Sequence, residues 1–137
     1  MDNAQPMINV LIVDDHQLVR AGLRAIIEAE PDLSVIGEAT DGAEALNVIT
    51  QLPVDVVLMD IQMPAGMGGI EATRNIKRLA PQVRVLTVSA LSAEPLPGVL
   101  REAGAAGYLT KGCPATELVS AIRSVFDGSP SVDAGLA

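Results

Sequence analysis

Residues 7–15 read MINVLIVDD, an apolar run that ends in two adjacent aspartates. Residues 7–13 barely alternate between apolar and polar side chains, which is typical of a strand buried on both faces of a parallel sheet. Comparable runs follow at residues 33–36, 54–59, 83–88 and 107–109, with amphipathic segments between them. Five strands that alternate with five helices predict an α/β fold: a doubly wound parallel sheet with helices on both faces and the strand order 2-1-3-4-5.

Apolar residues at helical spacing mark three of the helices. They are Leu18, Val19, Leu23, Ile26 and Ile27 in the first helix, Ile70, Thr73, Ile76 and Leu79 in the third, and Leu118, Val119, Ile122, Val125 and Phe126 in the last. Asp41 and Glu44 predict a capping box at the start of the second helix, and Pro114 suits the first turn of the last one. Pro95 and Pro97 disfavour a helix interior, so the fourth helix is predicted to be short and to start near Pro97.

Composition narrows the class of protein. The 137 residues include 9 Lys and Arg against 17 Asp and Glu, a net charge of −8 that argues against direct contact with nucleic acid. Cys113 is the single cysteine, so a disulfide framework is excluded, and the polar start of the chain does not resemble a secretory signal. No apolar stretch approaches the ~20 residues that span a bilayer. These features predict a cytoplasmic protein without a membrane segment.

The chain is predicted to contain one domain at residues 1–128, because single domains cluster at about 100–150 residues. No internal repeat or low-complexity tract divides it. The small and polar residues 129–137 are interpreted as a linker or a frayed end.

Polar side chains follow the strands at the carboxyl edge of the predicted sheet, where doubly wound folds bind their ligands. Asp14 and Asp15 end the first strand, Asp60 the third and Ser89 the fourth, and Lys111 follows the fifth. Three carboxylates this close repel one another unless a cation neutralises them, and Mg²⁺ prefers oxygen ligands. A lysine ammonium suits a phosphoryl oxygen. The set predicts a phosphoryl-transfer site in which Asp60 is the nucleophile.

Each of these residues also has an ordinary structural interpretation. An aspartate at a strand end commonly forms a turn or caps a helix, and Lys111 alone would be a solvated surface lysine. Thr87 competes with Ser89 for the hydroxyl role because residues two apart share a strand face, and Ser89 is favoured by its place nearer the carboxyl end. His16 has no His or Cys partner for a transition-metal site and is interpreted as structural.

Several stretches taken together resemble the receiver domain of two-component response regulators. They are LIVDDH (11–16), VDVVLMDIQMP (54–64), GIEATR (69–74), VLTVSA (85–90) and GAAGYLTKG (104–112). The resemblance covers residues 8–128 and implies a flavodoxin-like, CheY-like three-layer fold. GAAGYLTKG and AIRSVFDG (121–128) are most similar to LuxR/FixJ (NarL)-type transcription factors, and the stretch Pro95-Leu96-Pro97 narrows the likeness to the GacA/UvrY group.

The resemblance implies that Asp60 accepts a phosphoryl group from a sensor histidine kinase or a phosphotransfer domain. The chain would then be a phosphoacceptor that loses its phosphoryl group slowly, and not a turnover enzyme. Mg²⁺ or Mn²⁺ would be bound by Asp14, Asp15, Asp60 and the backbone carbonyl of Gln62. Lys111 would pair with the phosphoryl group.

A switch also follows from the resemblance. Ser89 would move to hydrogen-bond the phosphoryl group, and Tyr108 would change rotamer with it. The face made by the fourth helix, the fifth strand and the fifth helix would repack and support a homodimer. Transcription would be regulated through a helix-turn-helix domain that residues 1–137 do not include.

One departure from the family pattern lies beside the predicted acceptor. Receivers of this kind usually read MPG-x-G/D-G there, whereas residues 63–69 read MPAGMGG and carry one extra residue. The insertion is expected to alter this loop without removing a ligand.

Three other functions fit the sequence less well. A stand-alone or phosphorylation-independent interaction module would be expected to lack part of the acidic pocket, which is complete here. A haloacid-dehalogenase-like phosphohydrolase carries Asp-x-Asp after its first strand, whereas Asp14 and Asp15 are adjacent. A flavodoxin-like FMN binder would need a Ser/Thr/Gly-rich phosphate loop and flanking aromatic residues.

Overall fold

Strands and helices alternate along the part of the chain that the computed structural model describes, residues 7–90 and 97–128. The strands are β1 (Ile8–Val13), β2 (Leu33–Ala39), β3 (Val56–Asp60), β4 (Arg84–Ser89) and β5 (Gly107–Thr110). The helices are α1 (Gln17–Glu28), α2 (Gly42–Gln51), α3 (Gly69–Leu79), α4 (Pro97–Ala103) and α5 (Ala115–Phe126). All strand pairs are parallel, in the order β2-β1-β3-β4-β5. The predicted fold class and strand order are confirmed.

Two apolar clusters hold helices to the two faces of the sheet. On one face Ile27 of α1 and Ile122 of α5 pack with Val10, and on the other Ile76 of α3 packs with Leu11. Each side chain of this kind contributes roughly 1.5–3 kcal/mol when it is fully buried. Because successive β1 residues face opposite clusters, both faces of the strand must be apolar, which explains its sequence.

Strand β2 is three residues longer than predicted, ending at Ala39 instead of Ile36. The added length includes Glu38, a residue that argues against a strand when only the sequence is considered. Its carboxylate accepts hydrogen bonds from Arg20 Nε at 2.9 Å and from Arg24 Nε at 2.8 Å. These contacts satisfy a charge on the edge strand, so the strand continues past the apolar run.

Strands β3 and β4 each begin and end later than predicted, with Asp60 and Ser89 as their last residues. Asp60 is in register with Val88 of β4, and Ser89 is in register with Thr110 of β5. Strand pairing therefore fixes the backbone of both polar residues at one edge of the sheet.

The helix starts follow the predictions with two changes. Asp41 Oδ1 accepts from the backbone N–H of Glu44 at 2.9 Å, as a capping box requires. Glu44 Oε1 accepts from the backbone N–H of Thr40 at 2.7 Å, however, so the second bond reaches one residue further back. Pro114 is the N-cap of α5 and precedes its first turn. Helix α4 is short and begins at Pro97, as predicted.

Leu18 shares the helical spacing of the other apolar residues of α1, but its side chain is 86% exposed. Helical spacing identifies a face, but it does not show whether other elements cover the first turn of that face. Pro95 and the predicted linker at residues 129–137 lie outside the described residues. Among the described helices, none has both the length and the hydrophobicity needed to cross a bilayer.

Candidate functional site

The carboxyl edge of the sheet brings together side chains from three strands, as the sequence predicted. Lys111, just after β5, places its Nζ 2.8 Å from Asp14 Oδ2 and 3.4 Å from Asp60 Oδ1. Asp14 and Asp60 are only 1% and 2% exposed, so their charges are screened little by solvent. One ammonium therefore bridges two buried carboxylates that end β3 and follow β1.

Asp15 and His16 complete a cluster of potential ligands with these two aspartates. Carboxylate oxygens of Asp14, Asp15 and Asp60 and a ring nitrogen of His16 all lie within 4.8 Å of one another. Asp14 Oδ1 also accepts from the backbone N–H of His16 at 2.9 Å. The β1–α1 turn thus directs the side chains of Asp14, Asp15 and His16 toward the same point.

Two carboxylate oxygens in this cluster are buried without a hydrogen-bond partner among the described residues. Asp60 Oδ1 accepts from the backbone N–H of Gln62 at 3.2 Å, but Asp60 Oδ2 has no such partner. Asp15 Oδ1 is likewise unpartnered. A buried polar atom left in this way costs about 1–3 kcal/mol, and more if it is charged. Such oxygens match the ligands that Mg²⁺ prefers, so the residues present fit a magnesium ion.

The electrostatics of the pocket oppose the charge on Asp60. Burial raises the pKa of the Asp60 carboxyl, and repulsion from Asp14 raises it further, while Lys111 and the Gln62 N–H only partly compensate. Burial by itself would lower the pKa of Lys111, but its hydrogen bond to Asp14 and the nearby charge of Asp60 raise it overall. Lys111 is therefore charged at neutral pH. Its single positive charge does not balance the three carboxylates of Asp14, Asp15 and Asp60.

The two hydroxyl candidates on β4 are both fully buried but differ in their surroundings. Thr87 Oγ1 donates to the backbone carbonyl of Gly107 at 3.1 Å and so ties β4 to β5. Ser89 lies at the end of β4, and its carbonyl accepts from the backbone N–H of Lys111 at 2.7 Å. This bond fixes the backbones of Ser89 and Lys111 next to each other.

Tyr108 is buried, with 2% of its surface exposed. It packs with Ile61, the residue after Asp60, and with Leu100 of α4. The predicted switch residue thus connects the end of β3 to the fourth helix.

Arg20 is a feature of the site that sequence reasoning missed. Its Nη1 donates to the backbone carbonyl of Asp14 at 2.7 Å, while its Nε is held by Glu38. Arg20 and Arg24 are four residues apart on α1, which places them on one face, but their partner on β2 depends on the fold. Arg20 anchors the β1–α1 turn that carries Asp14 and Asp15.

The loop with the extra residue packs against the start of α2. The Met67 carbonyl accepts from the Gly42 N–H at 2.9 Å, and Gly66 has a positive φ of 81°. A Cβ at Gly66 would lie 2.7 Å from Asp41 Oδ2. The loop therefore has contacts of its own with α2.

Replacing Asp60 by Asn is expected to raise the free energy of unfolding at neutral pH without divalent cations, because burial and the charge of Asp14 raise the pKa of the folded Asp60 carboxyl. The raised pKa means that the folded state holds this proton more tightly than the unfolded chain does. Ionisation of Asp60 therefore costs stability at neutral pH, and the cost disappears as the pH falls through the raised pKa. Urea unfolding at neutral pH and near pH 4 measures both effects.

Asp32→Asn is a matched control for which the opposite change in stability is expected at neutral pH. A hydrogen bond from Arg123 lowers the pKa of Asp32, so its ionised form stabilises the fold at neutral pH and this contribution is lost in acid. Asp32→Asn is therefore expected to destabilise the protein at neutral pH. An Asp60→Asn variant less stable than the parent at neutral pH would contradict the repulsion described above.

The sequence matches the model of the response regulator receiver domain over residues 10–123. It is 49% identical over 131 residues to the response regulator UvrY of Escherichia coli, covering 96% of this chain and 60% of UvrY. It is 48% identical over 122 residues to the response regulator GacA of Pseudomonas aeruginosa, covering 89% of this chain and 56% of GacA. The chain thus spans less than two-thirds of the length of these curated relatives.

Solved structures of similar sequence have the same fold. A two-component response regulator of the LuxR family from Aurantimonas is 38% identical, with a TM-score of 0.85 over 90% of this chain and 88% of that one. The signal receiver domain of the response regulator NarL from Mycobacterium tuberculosis is 34% identical, with a TM-score of 0.85 over 90% of this chain and 99% of that one.

Proposed function

The chain belongs to the response regulator receiver domain family, and from this premise we propose that Asp60 accepts a phosphoryl group in a reaction that requires Mg²⁺. The observation that carries the proposal is the buried, unpartnered Oδ2 of Asp60 beside Asp14, Asp15 and Lys111. A carboxylate oxygen without a hydrogen bond keeps its lone pairs available to phosphorus or to a cation. The free-energy cost of burying this oxygen without a partner is removed when phosphorus or a cation binds to it.

Each residue contributes a separate part of the transfer. Asp60 forms an oxygen–phosphorus bond while the bond from phosphorus to the donor breaks, and the leaving group keeps the electron pair. Asp14, Asp15 and the Gln62 backbone carbonyl would hold the ion together with Asp60. When bound there, Mg²⁺ would supply positive charge to the phosphoryl oxygens and would screen the carboxylates from them. Lys111 adds a second positive charge at a phosphoryl oxygen.

The switch would act through the end of β4. Once Asp60 is phosphorylated, the phosphoryl oxygens accept a hydrogen bond from the Ser89 hydroxyl. This bond draws the Ser89 side chain toward the pocket. The vacated space lets Tyr108 change rotamer, which alters its packing against Leu100 of α4. The packing of Tyr108 with Ile61 and Leu100 supports this route.

The finer biological assignments rest on the relatives. We propose that the donor is a sensor histidine kinase or a phosphotransfer domain, and that the protein works in the cytoplasm. The α4, β5 and α5 face would support a homodimer. Regulation of transcription would use a DNA-binding domain outside these 137 residues, because a net charge of −8 disfavours contact with phosphates.

Incubation with acetyl phosphate tests the proposed function. With Mg²⁺ present, the intact mass of the protein is expected to increase by one phosphoryl group, because acetyl phosphate can replace the kinase as donor. With excess EDTA the increase is expected to disappear, since the carboxylates then repel the incoming phosphoryl group. Equal phosphorylation with and without Mg²⁺ would contradict the metal-dependent mechanism.

A further inference from the structure

His16 is placed at the mouth of the pocket and not in the core. Its side chain is 65% exposed, and its Nδ1 lies 3.0 Å from Asp15 Oδ1 and 3.2 Å from Asp14 Oδ1. The residue is the N-cap of α1, but its side chain makes no capping hydrogen bond. The imidazole Nδ1 is hydrogen-bonded to Asp14 Oδ1, so the ring points into the pocket.

The spacing of these three atoms matches that of ligands around one metal ion. On an ion with bonds of about 2.1 Å, neighbouring ligands are about 3 Å apart at right angles and about 3.4 Å apart in the tetrahedral arrangement typical of Zn²⁺. His16 Nδ1 lies 3.0 Å from Asp15 Oδ1, an oxygen that has no hydrogen-bond partner among the described residues. One imidazole nitrogen and two carboxylate oxygens therefore meet at one point of the pocket.

A second observation points to a cation at the same place. Asp60 is 2% exposed and its Oδ2 has no hydrogen-bond partner among the described residues, and one carboxylate oxygen of Asp60 lies in the cluster that includes the His16 nitrogen. Three carboxylates alone would form an all-oxygen site suited to Mg²⁺. An imidazole nitrogen changes the chemistry, because imidazole is a good ligand for Zn²⁺ and a poor one for Mg²⁺.

We propose that His16 makes this pocket a mixed nitrogen–oxygen site that binds Zn²⁺ through Nδ1 of His16 together with carboxylate oxygens of Asp14 and Asp15. Zn²⁺ then competes with Mg²⁺ for the aspartates and prevents the Mg²⁺-dependent phosphorylation. The inference rests on the proposed function only in taking these aspartates as cation ligands. It makes His16 the residue that determines metal selectivity.

Calorimetric titration of tag-free protein with Zn²⁺ and, separately, with Mg²⁺ tests the proposal. His16→Ala is expected to raise the Kd for Zn²⁺ on the order of tenfold or more, since even outer partners of metal ligands produce losses of this size. The Kd for Mg²⁺ is expected to change less than about twofold, because Mg²⁺ prefers oxygen ligands. Leu18→Ala is the matched control, because Leu18 is a neighbouring exposed residue without a ligand atom.

The single histidine gives a second readout that does not depend on activity. The imidazole NMR signals of the parent protein are expected to shift with Zn²⁺ until the pocket is saturated. Unchanged Zn²⁺ affinity in His16→Ala, or an equal loss for Zn²⁺ and Mg²⁺, would overturn the proposal. So would Zn²⁺ binding that is lost in Cys113→Ser instead. Failure of Mg²⁺ binding in the parent protein would count against the proposed function itself.

Discussion

Asp60→Asn is expected to reduce phosphorylation by acetyl phosphate to below detection. An amide nitrogen or oxygen cannot replace the carboxylate as nucleophile, because its lone pairs are delocalised and it carries no charge. The same variant is expected to be at least as stable as the parent, so the loss cannot be attributed to unfolding. Intact-mass measurement in Mg²⁺ checks the result.

Asp55→Asn is the matched control for this variant. Asp55 lies just before β3, at the opposite end from Asp60, and its Oδ2 accepts from the backbone N–H of Asn9 at 2.9 Å. The control is expected to be phosphorylated like the parent, because the change is remote from the pocket. Normal phosphorylation of Asp60→Asn would show that another residue is the acceptor.

Gly69→Ala is expected to destabilise the fold by about 3 kcal/mol, in the upper range for overpacking a filled site. A Cβ on Gly69 would lie 2.2 Å from the Asp60 carbonyl oxygen and 2.8 Å from Ile61 Cα. Both are backbone atoms, so the end of β3 or the start of α3 must move. This movement would displace Asp60, the proposed acceptor at the end of β3, so phosphorylation is expected to slow as well.

Gly22→Ala provides the comparison for Gly69→Ala. Gly22 lies within α1, and a Cβ there would meet no atom within 4 Å. The greater helix propensity of Ala is therefore expected to stabilise the protein by up to about 1 kcal/mol. Urea unfolding of both variants measures the difference. A Gly69→Ala variant as stable as Gly22→Ala would contradict the close approach of α3 to the acceptor strand.

The general position of the pocket was predictable because the pattern of strands determines the topology. Once β1, β3 and β5 are parallel and adjacent in a known order, residues at their carboxyl ends must lie at one edge. Asp14, Asp60 and Lys111 were placed together on that basis alone, and the structure confirms their proximity. Their chemical roles stay predictions.

Contacts between distant segments could not be predicted in the same way. The hydrogen bonds of Arg20 to Asp14 and Glu38 join α1, the β1–α1 turn and the edge strand, and no local pattern encodes that combination. The lack of His and Cys partners in the sequence argues against a transition-metal site at His16. Its neighbours are the carboxylates of the two preceding residues, and the turn after β1 determines that all three side chains point to one place.

The central claim is that Asp60 carries the phosphoryl group, and borohydride reduction tests it most directly. The protein is treated with acetyl phosphate and Mg²⁺, reduced with borohydride, digested and sequenced by mass spectrometry. Borohydride reduces an aspartyl phosphate to homoserine, so position 60 is expected to read as homoserine while Asp14 and Asp15 are unchanged. An unreduced aspartate at position 60 together with a stable phosphate on Ser89 or Thr110 would contradict the account.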